Sequence, residues 1–456
     1  MKTAASDSVY ARRTSALLVG RSLILPLVPG NLASHGWGVL AVPSACFLAA
    51  AALVRLGLAQ PSVPPATSVN TASVDQPPAE QSPSVDVFHG SREWTGELER
   101  AVDRGIEFLL ARQNPNGSWG SPRNTKRLNI YAPVPGAHQA FRAAVTALCV
   151  SALLESGRRS EAVDQAVIRA EDWLLRELPH LRRATPDAIY NVWGHAFSIQ
   201  ALVRLIHRPG QTDEKRSELR KLIASQIDLL RRYEAVGGGW AYYDFNVGTQ
   251  RPAGESNCFV TATVLVAFHE ARQEGFEIPS DLVDRAVKSI VRQRKPDFSY
   301  LYSEDFVFYP MAVVNRPAGS LGRSQACNLA TRLWGDQAVT DLVLESWLRR
   351  LIERNGWLDI GRKRPIPHES WFAIAGYFFY YGHYYAACCI QQLPLDKRLA
   401  YARPIAEVIV RLQEKDGSWW DFPLYDYHQQ YGTAFAIMTL VRCRPENSSE
   451  RLAANP

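Results

Sequence analysis

The sequence predicts an all-α protein in which six helical hairpins close into an (α/α)6 toroid over residues 93–444, behind an N-terminal hydrophobic segment and a disordered linker. Three observations carry this. An amphipathic helical segment and a nearly apolar one alternate six times along the chain. A Gly- and aromatic-rich loop joins the two members of a pair. Three of the apolar members, at Trp193, Tyr381 and Tyr431, share an aromatic residue, then Gly, then a polar residue, and Val260-Thr261 and Gly322-Arg323 fall at the corresponding places in two more.

The first residues stand outside that pattern. Arg12, Arg13 and Arg21 precede Ser22–Val54, where His35 is the only titratable side chain. Within it, Gly36–Val54 is long enough for a bilayer, which needs about 20 apolar residues. Positive charge on the N-terminal flank keeps that side cytoplasmic and sends the rest across. The run ends in LGLAQPSV, where small residues suit a signal peptidase. Residues 1–59 therefore read as a signal peptide or an uncleaved anchor that ties the chain to a membrane. Both place the toroid outside the cytoplasm, as a secreted, periplasmic or membrane-anchored protein. Residues 60–92, rich in Pro, Ser, Val and Thr, bury too little apolar surface to offset ordering entropy and read as a mobile tether. Residues 445–456 read as a disordered tail.

Composition supports a buried core, with 46% hydrophobic and 21% charged residues. The net charge of +6 is dispersed, and no basic run marks the repeat region, so the footprint of a nucleic-acid partner is missing. Twelve Trp, 18 Tyr and 17 Phe against three Met point to rigid aromatic walls. None of the seven Cys forms a Cys-x-x-Cys pair, which argues against a zinc knuckle. Most lie in apolar helical text and read as small buried hydrophobes, with disulfides the alternative. No cofactor and no metal site is expected.

The pairs run in order. LERAVDRGIEFLLARQ is followed by FRAAVTALCVSALLE, and VDQAVIRAEDWLLREL by VWGHAFSIQALVRLI. Next come KLIASQIDLLRRY with CFVTATVLVAFHEA, then VDRAVKSIVRQR with SLGRSQACNLATRLW. The fifth pair is LVLESWLRRLIERNGW with YYGHYYAACCIQQL, and the sixth RPIAEVIVRLQEKDGSWWDF with QYGTAFAIMTLV. First members carry charge on one face and suit an outer layer; second members, apolar all round, suit an inner ring packed on two sides. A lone hairpin cannot bury both faces, so neighbours must stack. Closure is the expected outcome and an open superhelix the alternative. In the shared register Gly permits close helix approach, and the polar slot holds His195, Thr261, Arg323, His383 and Thr433; repeat one offers no clear equivalent.

Two loops sharpen the reading. Gln113 to Trp119 and Gln413 to Trp419 both fit Gln-x-x-x-Gly-x-Trp, and Glu234, Gly238 and Trp240 form a near match, while repeats four and five depart. Asn-Gly and Asp-Gly supply the tight turn. This resembles the QW repeat of squalene-hopene and related terpenoid cyclases, whose toroid is shared with protein prenyltransferase β subunits. The resemblance covers about three quarters of the chain and implies the fold. It implies less about function. The alkene-protonating Asp-x-Asp-Asp motif of those cyclases is missing, and so is the Asp-x-Cys of the transferases, although Tyr427-His428-Gln429-Gln430-Tyr431 is similar to their Tyr-His-x-x-Tyr element.

An acid recurs after the loop aromatic, at Asp244, Asp305, Asp359 and Asp421, where a carboxylate complements the start of an inner helix. Asp426 and His428 occur once, directly before the last inner helix, with His138 at the comparable place in repeat one. Carboxylate and imidazole at a ring mouth suit acid/base work, so Asp426, His428, His138 and Asp244 are the candidate catalytic residues. Trp193, His195, Tyr243, Arg323, Trp371, Tyr381, His383, Trp420 and Tyr431 are the candidate substrate-binding residues, since aromatic faces suit carbocations, isoprenoids or sugars. Three functions remain open: an exported binding or scaffold toroid taking an isoprenoid or glycan, an enzyme on an isoprenoid, and a polysaccharide hydrolase or lyase.

Overall fold

The structure, a computed structural model, describes residues 87–126, 135–181, 191–242, 254–368 and 373–444. These all lie in the second of two units into which the chain divides at residue 80. The apolar run Gly36–Val54, the tail, and the candidates Tyr243, Asp244 and Trp371 fall outside the described residues. No helix among those described is long and apolar enough to cross a membrane.

Helices α1 (Val87–Ala111) and α2 (Pro135–Glu155) open the series, followed by α3 (Glu161–Glu177) with α4 (Asn191–Ile206), and α5 (Asp213–Arg232) with α6 (Cys258–Gln273). Then come α7 (Ser280–Arg292) with α8 (Pro317–Leu333), α9 (Asp341–Glu353) with a short α10 (Asn355–Asp359) and α11 (Phe378–Ile390), and α12 (Leu395–Arg411) with α13 (His428–Arg442). Two boundaries differ from expectation. Helix α1 begins inside the stretch expected to be tether, and α12 starts at Leu395 and runs through Pro404, a residue type that favours the first turn of a helix.

The ring closes. α2 packs on α4, α4 on α6, α6 on α8, α8 on α11, α11 on α13, and α13 returns to α2. The closure that the apolar helices required is thereby reached, and the open superhelix is excluded. One pairing shifts: each outer helix packs most extensively on the inner helix before it, α3 on α2, α5 on α4, α7 on α6 and α9 on α8, while α1 closes the circle on α13. The hairpin of the sequence is thus a connection, and the packing unit straddles two repeats.

The Gln–Gly–Trp loops hold the layers together. Trp119, Trp240 and Trp419 are buried, and their indole N–H groups donate to the carbonyls of Leu109, Leu230 and Ile409 in the preceding outer helices. Their backbone N–H groups donate to the hydroxyls of Thr146, Thr261 and Thr433 on the inner helices. Gln113 donates across to Ala166 of the next outer helix, and Gln413 across the closure to Ala101 of α1. Repeat four keeps the turn despite its altered sequence. Arg294 bridges Tyr300 as Gln113 bridges Trp119, and Phe298 takes the left-handed conformation (φ 60°) that Gly supplies elsewhere.

Register glycines mark the crowded end of the inner ring. A Cβ on Gly382 would lie 2.6 Å from the Cα of Gly322, so α8 and α11 touch backbone to backbone there. At the opposite end, Arg204 of α4 bonds Glu155 of α2 at 2.5 Å and Glu270 of α6 at 2.7 Å, and Arg442 of α13 grips the same Glu155. Helix starts therefore share one rim and helix ends the other. Between the rims the axis is filled. Phe197 of α4 meets Phe435 of α13 at 5.8 Å, and Tyr381 and Tyr384 of α11 meet the same ring at 6.2 and 5.3 Å. All four are buried.

Candidate functional site

The rim at the helix starts carries the polar chemistry, and its position follows from the loops. Two residues beyond the clamped aromatic, the chain turns toward the mouth and presents Ser121, Tyr242, Tyr302 and Asp421 in successive copies of the motif. In repeats three and four the same device fixes this residue. The side-chain oxygen of Asn257 accepts from the Tyr242 N–H at 3.2 Å, and that of Asn315 from the Tyr302 N–H at 2.9 Å.

The two tyrosines meet a third, Tyr377, directly before α11. Hydroxyl separations are 2.5 Å between Tyr242 and Tyr302, 3.1 Å between Tyr242 and Tyr377, and 2.9 Å between Tyr302 and Tyr377. His368 completes the group, with Nε2 at 3.3 Å from the Tyr377 oxygen and Nδ1 at 2.7 Å from the carbonyl of Ala373. A carbonyl only accepts, so Nδ1 carries the proton of the neutral ring and Nε2 turns a lone pair toward Tyr377. Burial, opposed by the Ala373 bond and aided by the Arg323 charge, lowers the His368 pKa below its ordinary value. The imidazole is neutral at pH 7 and can accept the Tyr377 proton. Burial also raises the Tyr242 and Tyr377 hydroxyls well above the usual phenol range. Trp193 stands edge-on to Tyr242 at 5.5 Å, and Phe259 and Phe378 floor the group.

Arg323 lies beneath. Its guanidinium donates to the carbonyls of Tyr300, Gly319 and Val314 at 3.0, 2.7 and 2.6 Å, and sits 5.7 Å from the Tyr302 ring. The slot residues it represents face the outer layer. His195 bonds Gln226 of α5 at 2.6 Å, His383 bonds its own helix at Phe379, and both are buried. His195, Arg323 and His383, expected as ligand contacts, are buried and bonded to protein groups, because the slot faces the Trp loops rather than the axis. Thr146 is the repeat-one member that the sequence register does not reveal. The span from Trp to Thr is 27 residues there, 21 in repeat three and 14 in repeat six, so no fixed spacing could point to it. Tyr381, another expected ligand contact, lies among the axial rings and donates to the carbonyl of Phe259 at 2.9 Å.

Asp426, His428 and His138 do gather around Tyr425 and Tyr427. His138 lies 4.7 Å from the Tyr425 ring, His428 Nδ1 bonds the Tyr425 carbonyl at 2.6 Å, and the Tyr427 hydroxyl is 3.4 Å from His138 Nδ1. Asp426, however, accepts from Ser121 at 2.9 Å and pairs with Arg123 at 3.6 Å, rather than with either imidazole. Trp420 lies edge-on to His428 at 5.2 Å, with Lys126 and Lys363 at 4.4 and 4.6 Å from its ring. Asp421 has the most perturbed carboxyl at the mouth. Burial raises its pKa to about 7 against the opposing pull of the Tyr431 hydroxyl and the Tyr380 N–H. That N–H, at 3.0 Å, belongs to the first turn of α11, so Asp421 complements the helix before its own repeat's inner helix. Tyr431, expected to touch ligand, donates its hydroxyl to Asp421. The carboxyls of Glu255 and Asp305 hydrogen-bond each other, which raises Glu255. Glycoside hydrolysis needs carboxyls about 5–10 Å apart. Among the described residues, no cluster of three or more His, Cys, Asp or Glu is placed to hold a metal ion.

No family model matches the chain, and no curated protein matches its sequence. Solved structures do resemble it. The cellobiose 2-epimerase of Spirochaeta thermophila aligns with a TM-score of 0.51 at 16% identity, covering 79% of this chain and 98% of that one. The type II terpene cyclase MstE from Scytonema gives 0.44 at 15%, covering 77% and 99%. The α-1,6-mannanase of a Salegentibacter species gives 0.46 at 10%, covering 76% and 98%. What is shared is the fold. The chain is an α/α toroid, and at these identities the likeness extends no further.

Proposed function

We propose that this toroid is an exported binding module whose mouth, at the starts of the inner helices, takes a carbohydrate. The observation that carries the reading is the filled axis. Phe197, Tyr381, Tyr384 and Phe435 occupy the space an isoprenoid chain would need, while, among the described residues, half-buried rings with adjacent hydroxyls gather at the rim. Rings with adjacent hydroxyls match a sugar, which offers apolar C–H faces and polar edges at once. The missing Asp-x-Asp-Asp motif and the touching Glu255–Asp305 pair favour binding over cyclisation or hydrolysis. The charged flank and apolar run at the N-terminus support an extracytoplasmic location.

Isothermal titration with cello- and manno-oligosaccharides, alongside geranylgeranyl diphosphate, tests this. Saturable sugar binding that weakens at least about tenfold in Trp193→Ala is expected, a change worth about 1.4 kcal/mol. Tight binding of the isoprenoid, or no sugar binding, overturns it.

A further inference from the structure

We propose that the oxygens of Tyr242, Tyr302 and Tyr377, with Nε2 of His368, form a binding site for a hard trivalent metal ion of the ferric type. The inference concerns the chemistry of these four groups and stands whether or not the mouth binds sugar.

Geometry comes first. The three oxygens lie 2.5, 3.1 and 2.9 Å apart. An octahedral ion with bonds of about 2.0–2.1 Å needs neighbouring ligands about 2.8–3.0 Å apart. The hydroxyls therefore already outline one triangular face of such an octahedron. His368 Nε2 is 3.3 Å from the Tyr377 oxygen and supplies a fourth position. Its tautomer suits that position, because Nδ1–H donates to the Ala373 carbonyl at 2.7 Å, the outer contact that orients metal-bound imidazoles.

Ligand chemistry selects the ion. Phenolate is a hard, anionic oxygen donor, and the set contains no thiolate or thioether that would favour a soft metal. Binding replaces three phenolic protons, which leave to solvent, by one trivalent ion, so the charge of the site is unchanged. The imidazole donates a neutral lone pair, and two positions of the octahedron stay open to water or a ligand. Desolvation, which opposes three separate phenolates, is met because the ion and its ligands form a neutral unit. Burial holds the Tyr302 and Tyr377 hydroxyls above the usual phenol range, and the nearby Arg323 guanidinium, bonded to carbonyl and amide oxygens, opposes that rise. The donors come from three separate loops, before α6, α8 and α11, so only the side-by-side packing of these consecutive inner helices assembles them.

The test is titration of the purified full chain with Fe(III) supplied as its nitrilotriacetate complex, following visible absorption. A phenolate-to-iron charge-transfer band saturating at one ion per chain is expected. Tyr302→Phe and Tyr377→Phe keep the rings and remove one ligand each, and His368→Gln removes the imidazole; each should weaken binding by at least about tenfold. Circular dichroism melts of the variants verify that they fold, and the wild-type titration is decisive without them. Absence of the band in the wild type, an undiminished band in both Phe variants, or equal competition by Zn(II), overturns the proposal. Sugar titrations on the metal-free chain read the mouth separately.

Discussion

Asp421 illustrates how one loop residue couples structure to pH. Its carboxyl sits in a site that burial holds at a pKa of about 7, against 3.8 in an unstructured chain. The folded state thus retains a proton the unfolded state has lost. Its contribution to stability is complete below pH 3.8 and declines as pH rises through 7, by on the order of 4 kcal/mol at about 1.4 kcal/mol per unit. Asp421→Asn cannot titrate. Denaturant unfolding across pH 4–8 should show the wild type losing stability relative to the variant over that window, and parallel curves would remove Asp421 from this role. The same residue shows what sequence supports. An acid after the loop aromatic is expected near an inner helix start, and it is there; that it serves the preceding repeat depends on packing.

Helix packing is limited by the register glycines. Where α8 crosses α11, Gly322 and Gly382 face each other, and a methyl on Gly382 would meet backbone 2.6 Å away. No rotamer change relieves such a clash, so the helices must separate. Gly382→Ala should cost about 1–3 kcal/mol, the range for overpacking a well-packed interior; an unchanged denaturation midpoint would show that the contact yields freely. The mouth lies next to this crossing, since Phe378, whose backbone approaches Gly322, also packs on Tyr377 at 4.7 Å. Outer helices have more latitude. α3, α5 and α9 start from Ser160, Thr212 and Thr340, whose hydroxyls accept from the first turn.

The ring as a whole depends on its far rim. Glu155 joins three inner helices through Arg204 and Arg442, and its side chain is only 14% exposed. Burial alone would raise its pKa; the two guanidinium groups outweigh burial and hold it near 2. Its contribution is therefore present above about 4.5, the unfolded value, and lost as pH falls toward 2. Glu155→Gln leaves Arg442 without its carboxylate and Arg204 with Glu270 alone, and should cost about 3–5 kcal/mol at neutral pH, with the deficit shrinking in acid. A variant as stable as wild type at pH 7 would show that the far rim does not hold the ring.

Local chemistry is legible along the chain itself. The periodicity of six helix pairs, the Gly–Trp turns and the register glycines follow from short-range rules about φ, helix faces and hydrogen bonds, and a linear sequence displays those rules directly. Neither the meeting of Tyr242 and Tyr377 with Tyr302 nor the role of His368 can be read that way. Tyr302 lies two residues past Tyr300 as Tyr242 lies two past Trp240, yet only the packing of α6 on α8 brings them to 2.5 Å. His368 belongs to a loop with no motif. Contacts among neighbouring repeats join residues some 60 to 135 positions apart, and their meeting depends on how three consecutive inner helices pack, which no segment encodes alone.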